Sequence, residues 1–251
     1  MQLSGKRAIV TGAANGLGAA IAIAFAREGA RVAVADIDVA GSASVIEAIV
    51  AMSGDARACR LDVTREEDWA GTVQDLVAQW SGVDILVNNA AIASGLVPIE
   101  DRLPEDWDRS MAINARGPFL GTRALLPVFR ANGGGAIVNV ASVAGLGQSQ
   151  IMDPAYACSK AALTMLTRIT AAQHAGDGVR CNSVHPGPID SDLARAAYPD
   201  EQAFARRVAR VPAGRMAKMD EVVEAVVYLA SDRSSYITGT GLAVDGGALV
   251  Q

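Results

Sequence analysis

Apolar residues recur along the chain in two alternating rhythms. Short runs rich in β-branched residues predict seven strands, at Arg7–Thr11, Arg31–Asp36, Ala56–Leu61, Val83–Asn88, Ala136–Ser142, Val179–His185 and Gly241–Val244. Several lack polar–apolar alternation, the pattern of strands covered on both faces. Between them the period lengthens. Over Asn15–Gly29, Leu17, Ile21, Ala24 and Phe25 fall at i, i+4, i+7 and i+8, one face of a helix, and Gly29 stands where a C-terminal cap belongs. Repeated strand–helix alternation predicts an α/β fold: a doubly wound parallel seven-stranded sheet with helices on both faces. Such sheets bind ligands beyond the carboxyl ends of their strands, where the strand order reverses.

Composition narrows the classes. Of 251 residues 51% are hydrophobic and 20% charged, with 25 Gly and only nine Pro, which allows a large core and excludes a disordered chain. A net charge of −5 argues against a nucleic-acid or anionic-membrane surface. The longest wholly apolar run, Ala19 to Ala26, is eight residues, against roughly 18 for a membrane span. Met1 to Val10 holds no apolar stretch of signal-peptide length, so export is not expected. Three widely spaced cysteines, Cys59, Cys158 and Cys181, read as small hydrophobes in a reducing compartment, and a cytoplasmic location follows.

Chemistry gathers at the strand ends. After the first strand, Thr11-Gly12-Ala13-Ala14-Asn15-Gly16-Leu17-Gly18 opens into a helix. Glycines let the backbone turn tightly against a pyrophosphate, and the helix N-terminus offers free N–H groups. Asp36 closes the second strand, 24 residues beyond Gly12, where an acid binds the ribose hydroxyls of NAD, with Ile37 beside it. Asp62-Val63 follows the third strand as a flank for adenine, and Asn88-Asn89-Ala90-Ala91 follows the fourth. These features predict a single Rossmann-type domain over residues 1–251 with NAD as cofactor. The fifth strand ends at Ser142, whose hydroxyl suits a carbonyl oxygen gaining negative charge. Tyr156 and Lys160 stand at i and i+4 on one helix face, where the ammonium favours phenolate and a lowered tyrosine pKa. A surface Tyr/Lys pair is the plainer reading of that spacing taken alone.

Together these residues resemble the short-chain dehydrogenase/reductase family, from about Leu3 to Gly247. The matching pieces are the Thr11–Gly18 loop, Asp62, Asn88–Ala90, Asn114, Ser142, Tyr156, Lys160, Pro186-Gly187, Tyr236-Ile237-Thr238-Gly239 and Asp245-Gly246-Gly247. The resemblance implies that Tyr156 is the acid/base, that Ser142 positions the substrate oxygen, and that Lys160 lowers the tyrosine pKa and holds the nicotinamide ribose. It implies that Asn114 holds a water linking Lys160 to solvent, and that Pro186, Gly187, Ile189 and Ser191 border the nicotinamide. It also implies a homotetramer, paired through helices over Trp107–Ala131 and Tyr156–Gly176 and again near the C-terminus. The small, partly apolar stripe of Ala157, Ala161, Thr164, Met165 and Arg168 agrees with such pairing. Three positions depart from the family pattern. Ala91 replaces a glycine, Ser191 replaces a threonine, and the Ser142-to-Tyr156 spacing is one residue longer, which predicts a bulge over Gly147–Asp153.

The expected reaction is hydride transfer between NAD and a secondary alcohol/ketone pair, a small-molecule substrate. An acyl-thioester or steroid ketone reductase is the alternative within the family, and a non-catalytic NAD-binding scaffold or sensor the alternative outside it. Ser94, Leu96, Ser142, Val143, Met152, Tyr156, Leu193, Tyr198 and Phe204 are candidates for the substrate pocket, with a lid at about 190–215. His174 and His185 belong to no zinc motif, and no metal is expected. His185 reads as a hydrogen-bonded residue at a strand end. Arg195, Arg206, Arg207, Arg210, Arg215 and Lys218 read as a solvated face of the lid, and Trp69, Trp80 and Trp107 as helix-packing anchors.

Overall fold

The computed structural model describes residues 1–93, 97–147, 153–190 and 200–250. Its strands are β1 (Arg7–Thr11), β2 (Arg31–Asp36), β3 (Asp55–Arg60), β4 (Ile85–Asn88), β5 (Gly135–Val140), β6 (Val179–Pro186) and β7 (Gly241–Val244). They form one sheet in the order β3-β2-β1-β4-β5-β6-β7, and every pairing is parallel. The order reverses between β1 and β4, so the ligand crevice belongs beyond the carboxyl ends of those two strands. The helices are α1 (Gly16–Arg27), α2 (Ser42–Ala51), α3 (Glu66–Trp80), α4 (Pro104–Met111), α5 (Gly117–Ala131), α6 (Pro154–His174), α7 (Glu201–Val208) and α8 (Met219–Ala230).

Period-2 alternation splits the buried residues into two layers. Ala8, Val10, Val32, Val34, Val87 and Val138 face one side, packed against Ile21 and Phe25 of α1, Ile49 of α2 and Val222 and Val226 of α8. Ile9, Ala33, Leu86 and Ile137 face the other, against Trp69 and Leu76 of α3, Leu125 and Phe129 of α5 and Ala171 of α6. Central strands thus read as unbroken apolar runs because both faces are covered.

Element ends differ from the sequence reading by one to three residues, several for a local reason. The Ala136–Ser142 strand stops at Val140, because the Ser142 hydroxyl accepts the Ala144 N–H (3.1 Å) and caps a 3-10 turn, Val143–Leu146. β4 begins at Ile85 instead of Val83, since Asp84 is turned toward Arg7, whose guanidinium binds its carboxylate at 2.7 Å. α1 ends at Arg27, and Gly29 (φ +89°) follows it in a Schellman motif, with Gly29 N–H bonded to Ala26 O and Ala30 N–H to Phe25 O, both at 3.0 Å. The helix expected over Trp107–Ala131 begins earlier, at Pro104, and passes through a π-helical turn, Ala112–Arg116, before continuing as α5. Trp69 is a buried anchor whose indole donates to Val63 O (3.0 Å), Trp80 is half-buried, and Trp107 on α4 is 36% exposed.

Candidate active site

The carboxyl ends of β1 and β4 are stitched together. Thr11 Oγ1 donates to Val87 O (3.2 Å) and accepts the N–H groups of Asn89 (3.0 Å) and Ala90 (3.1 Å). Asn89 Nδ2 donates in turn to Thr11 O (2.9 Å) and Gly12 O (3.0 Å). Two loop glycines are forced by this closeness. A Cβ on Gly12 (φ +62°) would lie 2.7 Å from Ala90 Cα, and one on Gly18 would lie 2.0 Å from Gly12 O. Gly16 (φ +55°) differs, because its Cβ position meets nothing within 4 Å. Asn15, at the N-cap of α1, makes no side-chain cap bond, so the first N–H groups of the helix remain for an anion.

Asp36 closes one side of this crevice. Its Oδ2 accepts the Ala14 N–H (3.0 Å) and its Oδ1 the Asp38 N–H (2.9 Å), which fixes the carboxylate against the glycine loop and not as a cap for α2. Ile37 beside it is 61% exposed, an apolar surface open to solvent. Asp62 Oδ1 accepts from Thr64 Oγ1 (2.7 Å) and Thr64 N–H (2.9 Å), and those bonds hold its carboxyl below the usual range. Val63 is buried against Gly117, whose Cβ would come within 2.9 Å of it. On the far side Pro186 is buried, Gly187 packs on Asp245, and Ile189 bridges to Ala217. Open space at Gly16, uncapped helix N–H groups and a fixed carboxylate at the end of β2 fit a nicotinamide dinucleotide.

Ser142, Tyr156 and Lys160 converge beyond β5 and along α6. Asp153 caps α6 by accepting the Ala155 N–H (3.2 Å), and Pro154 opens its first turn, which sets Tyr156 one turn in. Lys160 is 2% exposed, and its ammonium lies 5.6 Å from the Tyr156 ring centroid and donates to Val140 O (2.7 Å). Burial pulls its pKa down to about 8. The 3-10 turn after Ser142 presses on this helix, since a Cβ on Gly145 would lie 2.6 Å from the Lys160 carbonyl carbon.

The sequence predicts a lowered tyrosine pKa, and the structure corrects this. Burial pushes the Tyr156 phenol up, and the opposing pull comes from its hydrogen bond with Ser142. Asn114 is buried in the π-helical turn. Its Oδ1 accepts the Ile92 N–H (2.8 Å), and its Nδ2 donates to Ile92 O (2.8 Å) and Ser159 Oγ (3.1 Å), which commits both amide hydrogens. Ser159 donates to the Tyr156 carbonyl (2.8 Å), and this links the loop after β4 to the tyrosine helix. π-turns of this kind recur at functional sites.

With this geometry in view, likeness to known proteins is decisive. A family model described as enoyl-(acyl carrier protein) reductase matches residues 12–248. The chain belongs to the short-chain dehydrogenase/reductase family. Among its relatives is a 3-oxoacyl-[acyl-carrier-protein] reductase of Thermotoga maritima, 35% identical over the full length of both chains. Another is a cyclopentanol dehydrogenase of Comamonas testosteroni, 37% identical over 98% of each. The crystal structure of a short-chain dehydrogenase/reductase from Burkholderia xenovorans superposes with a TM-score of 0.95 at 35% identity, covering 100% of this chain and 98% of the other. This short-chain dehydrogenase/reductase is therefore an oxidoreductase of a family that uses nicotinamide cofactors.

Not every predicted residue joins the site. Ser94, Leu96, Met152, Ser191, Leu193, Tyr198 and Arg195 lie outside the described residues, as do residues 148–152 of the expected bulge. Val143 is buried, as its neighbour Ser142 is, Phe204 is half-buried on α7, and Ala91 is exposed. In the helix stripe, Thr164 is buried and bonded to Lys160 O (2.8 Å), while Ala162 and Ile169 join Ala161, Met165 and Arg168 on the exposed face. Ser159 and Asp153 escaped the sequence reading. Asp153-Pro154 carried a legible helix-start signal.

Proposed function

We propose that this short-chain dehydrogenase/reductase catalyses reversible hydride transfer between NAD and a secondary alcohol/ketone pair, with Tyr156 as general acid/base. The observation that carries the reading is the convergence of the Tyr156 phenol, the Ser142 hydroxyl and the buried Lys160 ammonium beside the crevice that Asp36 closes. When bound, the nicotinamide supplies the hydride acceptor or donor. Ser142 and Tyr156 hold the substrate oxygen between two hydroxyls, and Tyr156 gives or takes its proton. Gly12, Gly16, Leu17 and Gly18 receive the pyrophosphate, Asp36 the adenine ribose, and Ile37, Asp62 and Val63 flank the adenine. Asn89, Ala90, Pro186, Gly187 and Ile189 line the nicotinamide side with Lys160. Asn114 holds the loop after β4 and a water that links Lys160 to solvent.

Asp36 supports NAD over NADP. A 2′-phosphate would face a carboxylate, and two unit like charges 4 Å apart repel by about 4 kcal/mol at an effective dielectric of 20. Screening and relaxation leave about 2–3 kcal/mol, or roughly 30- to 150-fold in preference. Relatives named for cyclopentanol, D-threitol and cyclohexanol favour an alcohol substrate. The 3-oxoacyl reductase among them favours acyl-thioester reduction as a second reading. We also infer a homotetramer, supported by the exposed apolar side chains Phe119 on α5 and Met165 and Ile169 on α6.

The test is a cofactor-reduction screen over cyclic alcohols, polyols and 3-oxoacyl thioesters, with NAD and NADP, on wild type and Tyr156→Phe. Tyr156→Phe should lose about 10²–10⁴ in kcat and keep its cofactor affinity. Near-normal turnover in that variant rejects the assigned acid/base, and equal use of both cofactors rejects the role of Asp36.

A further inference from the structure

We propose that His185 is a positioning residue for the Ser142–Tyr156 pair, acting through a hydrogen bond from its Nδ1 to the Ser142 carbonyl. The inference rests on the roles given above to Ser142 and Tyr156. His185 is fully buried at the carboxyl end of β6, 3.1 Å through Nδ1 from Ser142 O and 2.8 Å through Nε2 from Ser183 Oγ. A carbonyl oxygen can only accept, so Nδ1 carries the hydrogen. Nε2 then offers a lone pair, and the Ser183 hydroxyl fills it, since its other neighbour, Thr240 O, is 3.4 Å away. One tautomer satisfies both contacts of the ring, and Thr240 O keeps the Ser183 N–H at 2.9 Å.

The ring is also held sterically. A Cβ on Gly241 of β7 would lie 2.7 Å from Nε2, so the imidazole occupies space that β7 leaves by carrying glycine there. Residues from β6, β7 and the exit of β5 thus converge on one imidazole. Ser142 has just left the sheet at that point, and its backbone is no longer in a strand ladder. His185 fixes its carbonyl, the Ala144 N–H fixes its hydroxyl oxygen, and the hydroxyl meets the Tyr156 phenol. Burial keeps the imidazole neutral by lowering its pKa, and the charges of Arg168 and Lys160 add to that, against the Ser142 bond that raises it. Neutrality preserves the Nδ1–H tautomer.

The experiment compares three substitutions that share bulk but differ in donor position. In His185→Asn the amide nitrogen falls near Nδ1 and can still donate to Ser142 O, in His185→Gln it reaches toward Nε2, and His185→Leu donates nothing. Ser142→Ala runs in parallel. Rates are measured on the best of cyclopentanol, cyclohexanol and D-threitol, with thermal melting and an ultraviolet titration of tyrosinate, using Tyr156→Phe to isolate Tyr156 from the other tyrosines. His185→Leu and His185→Gln should lower kcat by about 10- to 100-fold with KM changed less than about threefold. They should also move the Tyr156 titration to higher pH, as Ser142→Ala does. His185→Asn should restore both within about threefold in rate. Equal behaviour of the Asn, Gln and Leu variants, or a Tyr156 titration unmoved in all of them, overturns the proposal. If Ser142→Ala itself keeps full activity and an unshifted Tyr156, the reading of the site fails first, and the role of His185 falls with it.

Discussion

Lys160 carries its charge into a place where a charge is unfavourable. Its ammonium has a carbonyl, Val140 O, as acceptor, and no carboxylate lies within ion-pair reach among the described residues. Its folded pKa of about 8 lies below its ordinary 10.5. The unfolded chain therefore binds more protons between these values, and stability rises with pH across that window. The cost is complete below about 8 and fades as pH climbs toward 10.5. At about 1.4 kcal/mol per pKa unit it is bounded near ~3 kcal/mol. Lys160→Met should accordingly abolish turnover yet raise stability by about 1–3 kcal/mol at pH 7, with the gain shrinking by pH 10. Denaturant melts of both proteins at the two pH values measure this, and a variant less stable at pH 7 refutes it. Such costs are not visible in a sequence. The i, i+4 spacing placed Tyr156 and Lys160 on one face, but the direction of the tyrosine shift depends on burial, which spacing does not report. Asp36 was legible because a strand end and a motif spacing coincide there. The bond from His185 was not, since it joins residues 43 apart through the packing of three strands.

At the scale of elements, the N-terminus of α6 is held from outside. Arg102 Nη2 meets Asp153 Oδ1 at 2.8 Å, with side chains 5% and 2% exposed. That buried pair ties the start of the α4 segment to the cap of the helix that carries Tyr156. Asp153→Asn keeps an oxygen for the Ala155 N–H but removes one of two carboxylates at Arg102, since Asp106 Oδ2 stays 3.4 Å from Nη1, and should cost about 1–2 kcal/mol, or roughly 2–8 °C in Tm. Adding Arg102→Met should recover part of that loss, because it takes away a buried guanidinium that has lost one of its carboxylates. A double variant no more stable than the single one excludes charge pairing as the link. Strand positions were legible because apolar β-branched runs are short and bounded. Their ends were not, because Ser142 and Asp84 leave the ladder through side-chain bonds that no periodicity encodes.

Across the whole molecule, the reversal of strand order between β1 and β4 gathers residues from Gly12 to Asp245 at one edge and leaves α5 and α6 to present their outer sides elsewhere. Phe119, Met165 and Ile169 are about half exposed there. If those sides pair, light scattering at micromolar concentration should give four times the 25.9 kDa of one chain. Met165→Lys should shift the mass downward. A wild-type monomer excludes the assembly. The parallel, doubly wound character of the sheet was legible from the alternation of elements, whereas the outer stripe was only partly so, since Thr164 turns inward to bond Lys160 O.

The bond between Asp36 and the Ala14 N–H has a consequence for anyone who would redesign this protein for a phosphorylated cofactor. One oxygen of Asp36 anchors the glycine loop at Ala14, so if Asp36 faces the ribose as proposed, selectivity and loop order share a single side chain. Asp36→Ala should relax the preference and also lower kcat/KM with NAD, because the loop loses its tether. Asp36→Asn, with its amide oxygen toward Ala14, should relax the preference while retaining more of the NAD activity. Parallel kcat/KM measurements with both cofactors separate the two effects, and identical losses in the two variants would show that they are not joined. A successful switch must therefore supply a new tether for Ala14 together with a cation for the phosphate.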